Sequence, residues 1–175
     1  MTENMSIFDA FARRRSVRVF KKQKIAPDTM DKLLRAIQSA PSAGNLQAYQ
    51  LYLAEKPAVI QALARAALNQ TCVANAPAVL VFCADPRRSM TEYGERGRDL
   101  YCLQDATIAA SFAHLAAVAL ELGSVMVGAF KESEVIEAIG APYGQIPVLM
   151  LSIGYPDEHP APTGRRNLDD FVARI

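Results

Sequence analysis

A cluster of basic side chains stands near the start of the chain. The stretch RRRSVRVF, residues 13–20, holds four arginines and one serine within eight positions. Guanidinium groups donate paired hydrogen bonds and a serine hydroxyl donates one more, so this combination suits a compact anion such as a phosphate. Two other interpretations stay open for this stretch alone: a solvated helix end with its cations near the carbonyl terminus, or a contact with nucleic-acid phosphates.

The positive charge is local rather than general. The chain has 19 Lys and Arg against 18 Asp and Glu, which gives a net charge of +1. Seven of the basic residues lie within positions 13–24, which hold no acidic residue, so the rest of the chain is net acidic. Nucleic-acid surfaces usually carry further basic stripes. The distribution therefore favours an anion site over a nucleic-acid surface.

A second polar motif, APSAGNLQAYQ at residues 40–50, separates a predicted helix from a predicted strand. It combines Pro41, Ser42 and Gly44 with two amides, Asn45 and Gln47. Each amide offers a donor and an acceptor, which suits a ligand edge that alternates C=O and N–H groups. A turn stabilised by its own polar side chains fits the same residues.

The residues for protein-only catalysis are scarce. The chain has no phosphate-binding loop, no nucleophile elbow and no zinc-protease motif. Of its two histidines, His114 lies in an alanine-rich helix, where we expect a hydrogen-bonded core or interface residue, and His159 lies in a proline-bounded loop. Three dispersed cysteines predict free thiols in a reducing cytosol and no metal site. We therefore predict no catalytic side chain, and a bound cofactor would carry any chemistry.

The surrounding elements predict one domain, residues 1–175. Apolar residues make up 51% of the chain, enough for a substantial core. Strands are predicted in AYQLYLAE, PAVLVFCAD and IPVLMLSIGYP, and a short segment SVMVGAF follows the long helix. Helices follow Ser6, begin near Pro27, and occupy PAVIQALARAAL and ESEVIEAI. The polar run 87–99 reads as a loop, and a long apolar helix should run from about Leu100 to Leu122.

The long helix consists mostly of alanine on nearly every face. It should be enclosed by other elements, either a partner subunit or the core of a monomer. Its apolar stretch, residues 106–120, is short for a membrane span, which needs about 20 residues. The N-terminus shows no export signal. We therefore expect a cytoplasmic protein.

Four motifs occur in a characteristic order: RRSVRVF, APSAGNLQ, LGSVMVGAF and IGYPDEHPAPTGRRNL. In this order and spacing the chain resembles the nitroreductase family of FMN-dependent oxidoreductases. The resemblance implies an α+β fold, in which a mixed β-sheet is flanked by helices. It also implies an intertwined homodimer with two FMN molecules in the interface, each touched by both chains.

The resemblance also implies which residues hold FMN. Those matching the family's segment for the phosphate, ribityl chain and pyrimidine edge are Arg14, Arg15, Ser16 and Arg18. In the family, two residues of the other subunit pack on the flavin, and they are matched here by Pro41 and Ser42. Asn45 and Gln47 lie in the same loop. Further matches are Asn69 and Gln70 near the flavin, Val127 and Gly128 at flavin N5, and Arg165, with Arg166 as an alternative, on the phosphate. Two interpretations stay open for the run 87–99: a cover over the flavin, with Tyr93 and Arg96 as candidates for substrate contact, or a solvated charged loop.

The activity implied by the resemblance is ping-pong hydride transfer at flavin N5. NADH or NADPH would reduce FMN, and an electron-poor small molecule (a nitroaromatic, a quinone or a flavin) would then be reduced in the same slot. One alternative is another reaction of the same scaffold: dehalogenation, flavin breakdown or dehydrogenation. The other is a basic-patch module that binds phosphorylated ligands or nucleic acid.

Overall fold

The computed structural model describes residues 5–175, and four strands form its sheet. These are β1 (Tyr49–Ala54), β2 (Ala78–Ala84), β3 (Gly123–Val127) and β4 (Ile146–Gly154), in the spatial order β1-β2-β4-β3. Each neighbouring pair is antiparallel, and Met150 on β4 lies in register between Val81 on β2 and Val127 on β3. Ser16 adds a parallel bridge to Ser124 at the β3 edge.

Helices cover both faces of this sheet. The described part of the chain has seven α-helices: α1 (Ile7–Arg13), α2 (Pro27–Gln38), α3 (Pro57–Ala66), α4 (Thr71–Ala74), α5 (Pro86–Arg96), α6 (Cys102–Ala119) and α7 (Glu132–Ile139). Short 3-10 turns occupy Ala43–Asn45 and Leu168–Asp170, and a π-helical turn at Gly97–Tyr101 links α5 to α6. The predicted α+β architecture, a β-sheet flanked by helices, is confirmed.

The apolar run of strand β2 is continuous because both faces of this strand are buried. Leu80 and Phe82 point to the layer formed by α2 and α6, whereas Val79 and Val81 point to the layer formed by α3, α4 and α7. All seven residues of β2 are buried. Because helices cover both faces, this antiparallel sheet has no solvent-facing side along β2, and the usual alternation of apolar and polar residues is lost.

Helix α6 is the central helix of one layer. Ala106, Ala109, Ala110 and Ala113 are fully buried, and α6 contacts α1, α2 and all four strands. The helical stretch 86–119 is long and apolar enough to cross a membrane by composition, and 44% of its apolar window is already buried within the protein. Among the described residues 5–175, Phe112 on this helix stays 36% exposed.

One predicted loop was wrong, and one predicted helix is slightly shorter than expected. The run 87–99, predicted as a loop, forms most of α5 and the π-helical turn, because Asp85 caps the first turn through a 3.3 Å bond from the Arg88 backbone N–H and Pro86 suits the first helical position. Gly94, at φ 55° and ψ −143°, kinks this helix. The long helix begins at Cys102, because the π-helical turn precedes it, and ends at Ala119.

Two predicted helix ends were correct. Ser6 and Asp9 form a reciprocal capping box at the start of α1. Gly140 ends α7 in the left-handed conformation at φ 63°, which a residue with a side chain adopts only at a cost.

Candidate ligand-binding site

The arginine-rich stretch of residues 13–20, called here the basic segment, runs along the free edge of β3. Arg14 follows α1 directly, and its backbone N–H donates to the Ala10 carbonyl at 2.9 Å. Three residues on, the Val17 N–H donates to the Ser124 carbonyl at 3.0 Å. Gly123 permits this approach, since a Cβ there would lie 2.7 Å from Val17 Cγ1. The chain between these contacts is thus fixed on the edge of the sheet.

A buried imidazole contacts the first arginine of this segment. Arg14 Nη1 lies 3.0 Å from His114 Nε2 on α6, and His114 Nδ1 lies 2.6 Å from Ser124 Oγ on β3. His114 is 7% exposed. Burial, and secondarily the Arg14 charge, lowers the pKa of His114 to about 4, so the ring is neutral at pH 7.

The Arg14 guanidinium has a cationic rather than an anionic neighbourhood. Its pKa is lowered first by burial, then by the charges of Arg165 and Arg15. No ion pair to Arg14 is found among residues 5–175. A half-buried guanidinium beside two like charges is unfavourable unless an anion joins them. The arrangement therefore has the electrostatics of an anion site.

The chain after β4 brings Arg165 to this position. The Lys21 N–H donates to the Tyr155 carbonyl at 2.9 Å, and the Asp157 N–H donates to the Val19 carbonyl at 3.0 Å. The Glu158 carboxylate accepts from two successive backbone N–H groups of the basic segment. These bonds set the direction of the exposed C-terminal segment 159–175.

The other arginines of the cluster differ in their side-chain contacts. Arg15 Nη1 donates to the Ala12 and Arg14 carbonyls, each at 2.8 Å. Arg18 is exposed and donates to the Ser16 carbonyl at 3.2 Å. Arg166 stacks on the Phe171 ring at 5.4 Å, so of the two C-terminal arginines Arg165 is the one that influences Arg14.

The opposite end of β3 is open. A Cβ on Gly128 would meet no atom within 4 Å, and Val127 just before it is buried. Gln70 Nε2 donates to the Ala129 carbonyl at 3.1 Å, which brings Asn69 and Gln70 to this end. Gly128 lies four residues beyond Ser124, or about 13 Å along the strand. The cationic end and the open end are thus separated by the length of β3.

The motif that contains Pro41 lies at the other edge of the sheet, before β1. Its backbone is held by the buried Asp105 of α6, which accepts from the Ala43 N–H at 3.0 Å and from the Ala48 N–H at 3.2 Å. Ser42 Oγ accepts from the Gln47 N–H at 2.9 Å, which closes the turn.

The turn also brings the two amides of this motif together. Gln47 Nε2 lies 3.2 Å from Asn45 Oδ1. Asn45 and Gln47 adopt positive φ values of 55° and 49°. Such φ values are uncommon outside glycine and are tolerated best by Asn.

Helix α5 lies against this turn. A Cβ on Gly44 would meet Tyr93 Oη at 2.5 Å. Tyr93 packs edge-on against Tyr101 at 5.2 Å, and Arg96 Nε donates to Tyr101 Oη at 3.0 Å. The predicted cover is therefore a kinked helix whose aromatic side chains lie beside the turn that contains Ser42.

The predicted site residues thus form two groups within one chain. The first group lies on the β3 edge: Arg14, Arg15, Ser16, Arg18, Asn69, Gln70, Val127, Gly128 and Arg165. The second group, Pro41, Ser42, Asn45 and Gln47, precedes β1 at the opposite edge, about 14 Å away across three strand spacings. No hydrogen bond described for residues 5–175 joins the two groups.

Two residues at these sites, Ser124 and Asp105, were not predicted from the sequence. His114 was predicted as a hydrogen-bonded residue of the core or an interface, and this is confirmed, but its contact to Arg14 was not predicted. The signal available for Asp105 was a lone carboxylate in an apolar helix, which must find buried donors when no cation is near.

Comparison with known proteins identifies the family. The nitroreductase family model matches residues 11–85 and 65–155. An Archaeoglobus fulgidus protein described as an NADH dehydrogenase/NAD(P)H nitroreductase is 32% identical over 149 residues, which cover 83% of this chain and 82% of the relative.

Solved structures agree with this match. NfrA2 of B. megaterium aligns with a TM-score of 0.89 at 28% identity, over 96% of this chain and 73% of its own. The NADPH:FMN oxidoreductase of Vibrio harveyi, solved with NAD+, aligns with a TM-score of 0.88 at 26% identity, over 96% of this chain and 76% of its own. The chain belongs to the nitroreductase family.

Proposed function

We propose that this protein is a cytoplasmic, FMN-dependent NAD(P)H oxidoreductase whose acceptor is an electron-poor small molecule. The observation that carries the proposal is the Arg14 guanidinium, half-buried beside Arg15 and Arg165 without a carboxylate partner among the described residues. About 13 Å along β3, the chain is open at Gly128. This edge suits an elongated ligand with an anion at one end.

The cationic end fits the phosphate of FMN. A phosphate monoester carries up to two negative charges at pH 7 and accepts several hydrogen bonds. Arg14, Arg15 and Arg165 supply guanidinium donors, and Ser16 supplies a hydroxyl. Arg18, farther along the same segment, would serve the ribityl chain and pyrimidine edge. The half-burial of Arg14 argues against a nucleic-acid surface, where phosphate-binding cations are solvated.

The open end fits the flavin ring. The backbone at Val127 and Gly128 would meet the ring edge at N5, since the missing Cβ leaves this face of the chain accessible. The side chains of Asn69 and Gln70 flank the same loop, and Gln70 holds it through Ala129.

A second copy of the chain would complete the site. Pro41, Ser42, Asn45 and Gln47 lie at the far edge of the sheet from Gly128, so they would serve the site of a partner in a homodimer. An apolar groove on α1, α2 and α6 supports this assembly, since Phe11 and Phe112 line it and are 53% and 36% exposed. The C-terminal segment 159–175 presents further exposed apolar side chains.

In the reaction, bound FMN would supply the redox chemistry that carries a hydride equivalent from NADH or NADPH to the acceptor. The residues of this chain would bind and orient the group and leave room at Gly128 for stacking partners. His114 is neutral and engaged with Arg14 and Ser124, so it does not serve as a proton donor at pH 7.

The test is spectroscopic. Purified protein should be yellow, or become yellow on addition of FMN, and anaerobic NADH or NADPH should bleach it. A protein that does not take up FMN would contradict the proposal. If bound flavin is not reduced by either nucleotide, the scaffold serves another reaction, and a panel of nitroaromatic, quinone and flavin acceptors then separates the remaining activities.

A further inference from the structure

Arg14 fixes the hydrogen-bonding state of His114. A guanidinium has donors only and stays charged, so the 3.0 Å contact requires an unprotonated His114 Nε2 as acceptor. The ring hydrogen therefore lies on Nδ1, which donates to Ser124 Oγ at 2.6 Å. The contact joins residues 100 positions apart, from the segment after α1 to the middle of α6.

The choice of imidazole has an electrostatic consequence. A buried arginine is usually paired with a carboxylate, which fixes the side chain but cancels its charge. A neutral imidazole accepts the same hydrogen bond and leaves the positive charge of Arg14 intact. The charged groups around this pair, Arg15 and Arg165, are cationic as well. Arg14 is therefore held in place, and no carboxylate among residues 5–175 compensates its charge.

We propose that His114 is a positioning residue, which aims the Arg14 guanidinium at the phosphate and so gives the site its preference for FMN over unphosphorylated riboflavin. The inference rests on the proposed function, because it takes the anion at Arg14 to be the FMN phosphate. One Arg14 nitrogen is held by His114, while its other N–H groups stay available to the ligand. His114 acts through Arg14 and does not touch the ligand.

Two isosteric variants separate the two contacts of the ring. In His114→Gln, the amide oxygen takes the place of Nε2 and can still accept from Arg14. In His114→Asn, the shorter amide takes the place of Nδ1 and keeps only the Ser124 contact. The readout is the dissociation constant of FMN and of riboflavin for the apoprotein, measured by quenching of flavin fluorescence.

We expect His114→Asn to weaken FMN binding about tenfold and leave riboflavin binding unchanged, because only the phosphate contact is affected. His114→Gln should retain FMN affinity within about threefold. A general packing defect would weaken both flavins equally. Equal loss for both flavins, or equal behaviour of Asn and Gln, overturns the inference.

A double-mutant cycle with Arg14→Ala completes the test. If His114 acts through Arg14, adding His114→Asn to Arg14→Ala causes no further loss of FMN affinity, whereas additive losses contradict the inference. Arg14→Ala alone tests the proposed function. If this variant still prefers FMN to riboflavin as strongly as the parent protein does, the phosphate does not bind at Arg14. If His114→Asn does not fold, Ser124→Ala is the substitute, because it removes the hydrogen bond that holds the imidazole ring. This variant should bind FMN more weakly and riboflavin as well as the parent protein does. An equal effect on both flavins would count against the inference.

Discussion

At the scale of single residues, the side chains of Arg14, His114 and Ser124 form a polar network joined by two hydrogen bonds. Arg14 cannot lose its proton at accessible pH, and Ser124 does not titrate, so His114 is the group that can change. Protonation would place a second cation against the guanidinium and remove its acceptor. The network should therefore be sensitive to acid.

The first prediction concerns stability and pH. Folding lowers the pKa of His114 from 6.5 to about 4, so between these values the unfolded chain binds a proton that the folded chain does not. The free energy of unfolding should fall by about 2 kcal/mol from this group as pH drops from about 7 to 5.

Urea unfolding of the apoprotein at both pH values measures this difference. The His114→Gln variant is the control, because it lacks the imidazole but keeps all the other titrating groups. Its free energy of unfolding should fall less between pH 7 and pH 5 than that of the parent protein. Parallel pH dependence in the two proteins would contradict the assignment.

The second prediction uses the open space at Gly128. Gly128→Val should leave thermal stability nearly unchanged, because a Cβ there meets no atom within 4 Å. It should lower FMN affinity at least tenfold, since the branched side chain would occupy the approach to the flavin edge. Ala129→Val, at the next exposed position, is the matched control. Normal FMN content in the Gly128 variant would show that the ring lies elsewhere.

At the scale of elements, α6 determines where the turn before β1 lies. Asp105 is 2% exposed and accepts from two backbone N–H groups of that turn, so the position of the turn is tied to the core helix. Without this carboxylate the polar motif would be a surface loop held by its own side chains.

The third prediction tests this anchor. Asp105→Ala leaves two backbone donors without their acceptor and should cost about 2–4 kcal/mol in the free energy of unfolding. Asp105→Asn keeps one acceptor oxygen and should lose roughly half as much. Urea denaturation gives both values, and an alanine variant as stable as the parent chain would contradict this role.

Elements with strong apolar patterns could be predicted from the sequence, and polar ones less well. Strands β2 and β4 were predicted because they are buried on both faces and carry continuous apolar runs. Helix α5 was predicted as a loop, because its polar side chains hid the cap formed by Asp85 and Pro86.

The candidate site shows the same limit in another form. The motifs gave its residues through the family resemblance, but the contact between Arg14 and His114 spans 100 positions. Local spacing carries no signal for such a contact, because it is created by how α1 packs on α6. The division of the site between the two sheet edges likewise follows from the strand order β1-β2-β4-β3, which no single motif encodes.

At the scale of the whole molecule, the separation of the two residue groups gives the fourth prediction. In the proposed homodimer, an Arg14→Ala chain and a Gln47→Gly chain would form a heterodimer with one doubly defective site and one intact site. Glycine suits the positive φ of 49° at position 47, so that change removes the side chain without straining the turn.

Differently tagged chains, co-expressed and purified by both tags, provide the measurement. The heterodimer should bind one FMN per dimer with the parent affinity, whereas each variant homodimer binds weakly. If every site were built within one chain, the heterodimer would carry one single defect in each site and no tight binding would return.

If the site is shared between two chains, the strand order also makes the FMN content of the protein depend on protein concentration. When a site needs residues from two chains, cofactor binding depends on the concentration of the chain itself: dilution separates the protomers, and each separated protomer keeps only one of the two residue groups. Flavin content then depends on how much of the protein a cell makes. Scarce expression would yield colourless, inactive chains even where FMN is plentiful.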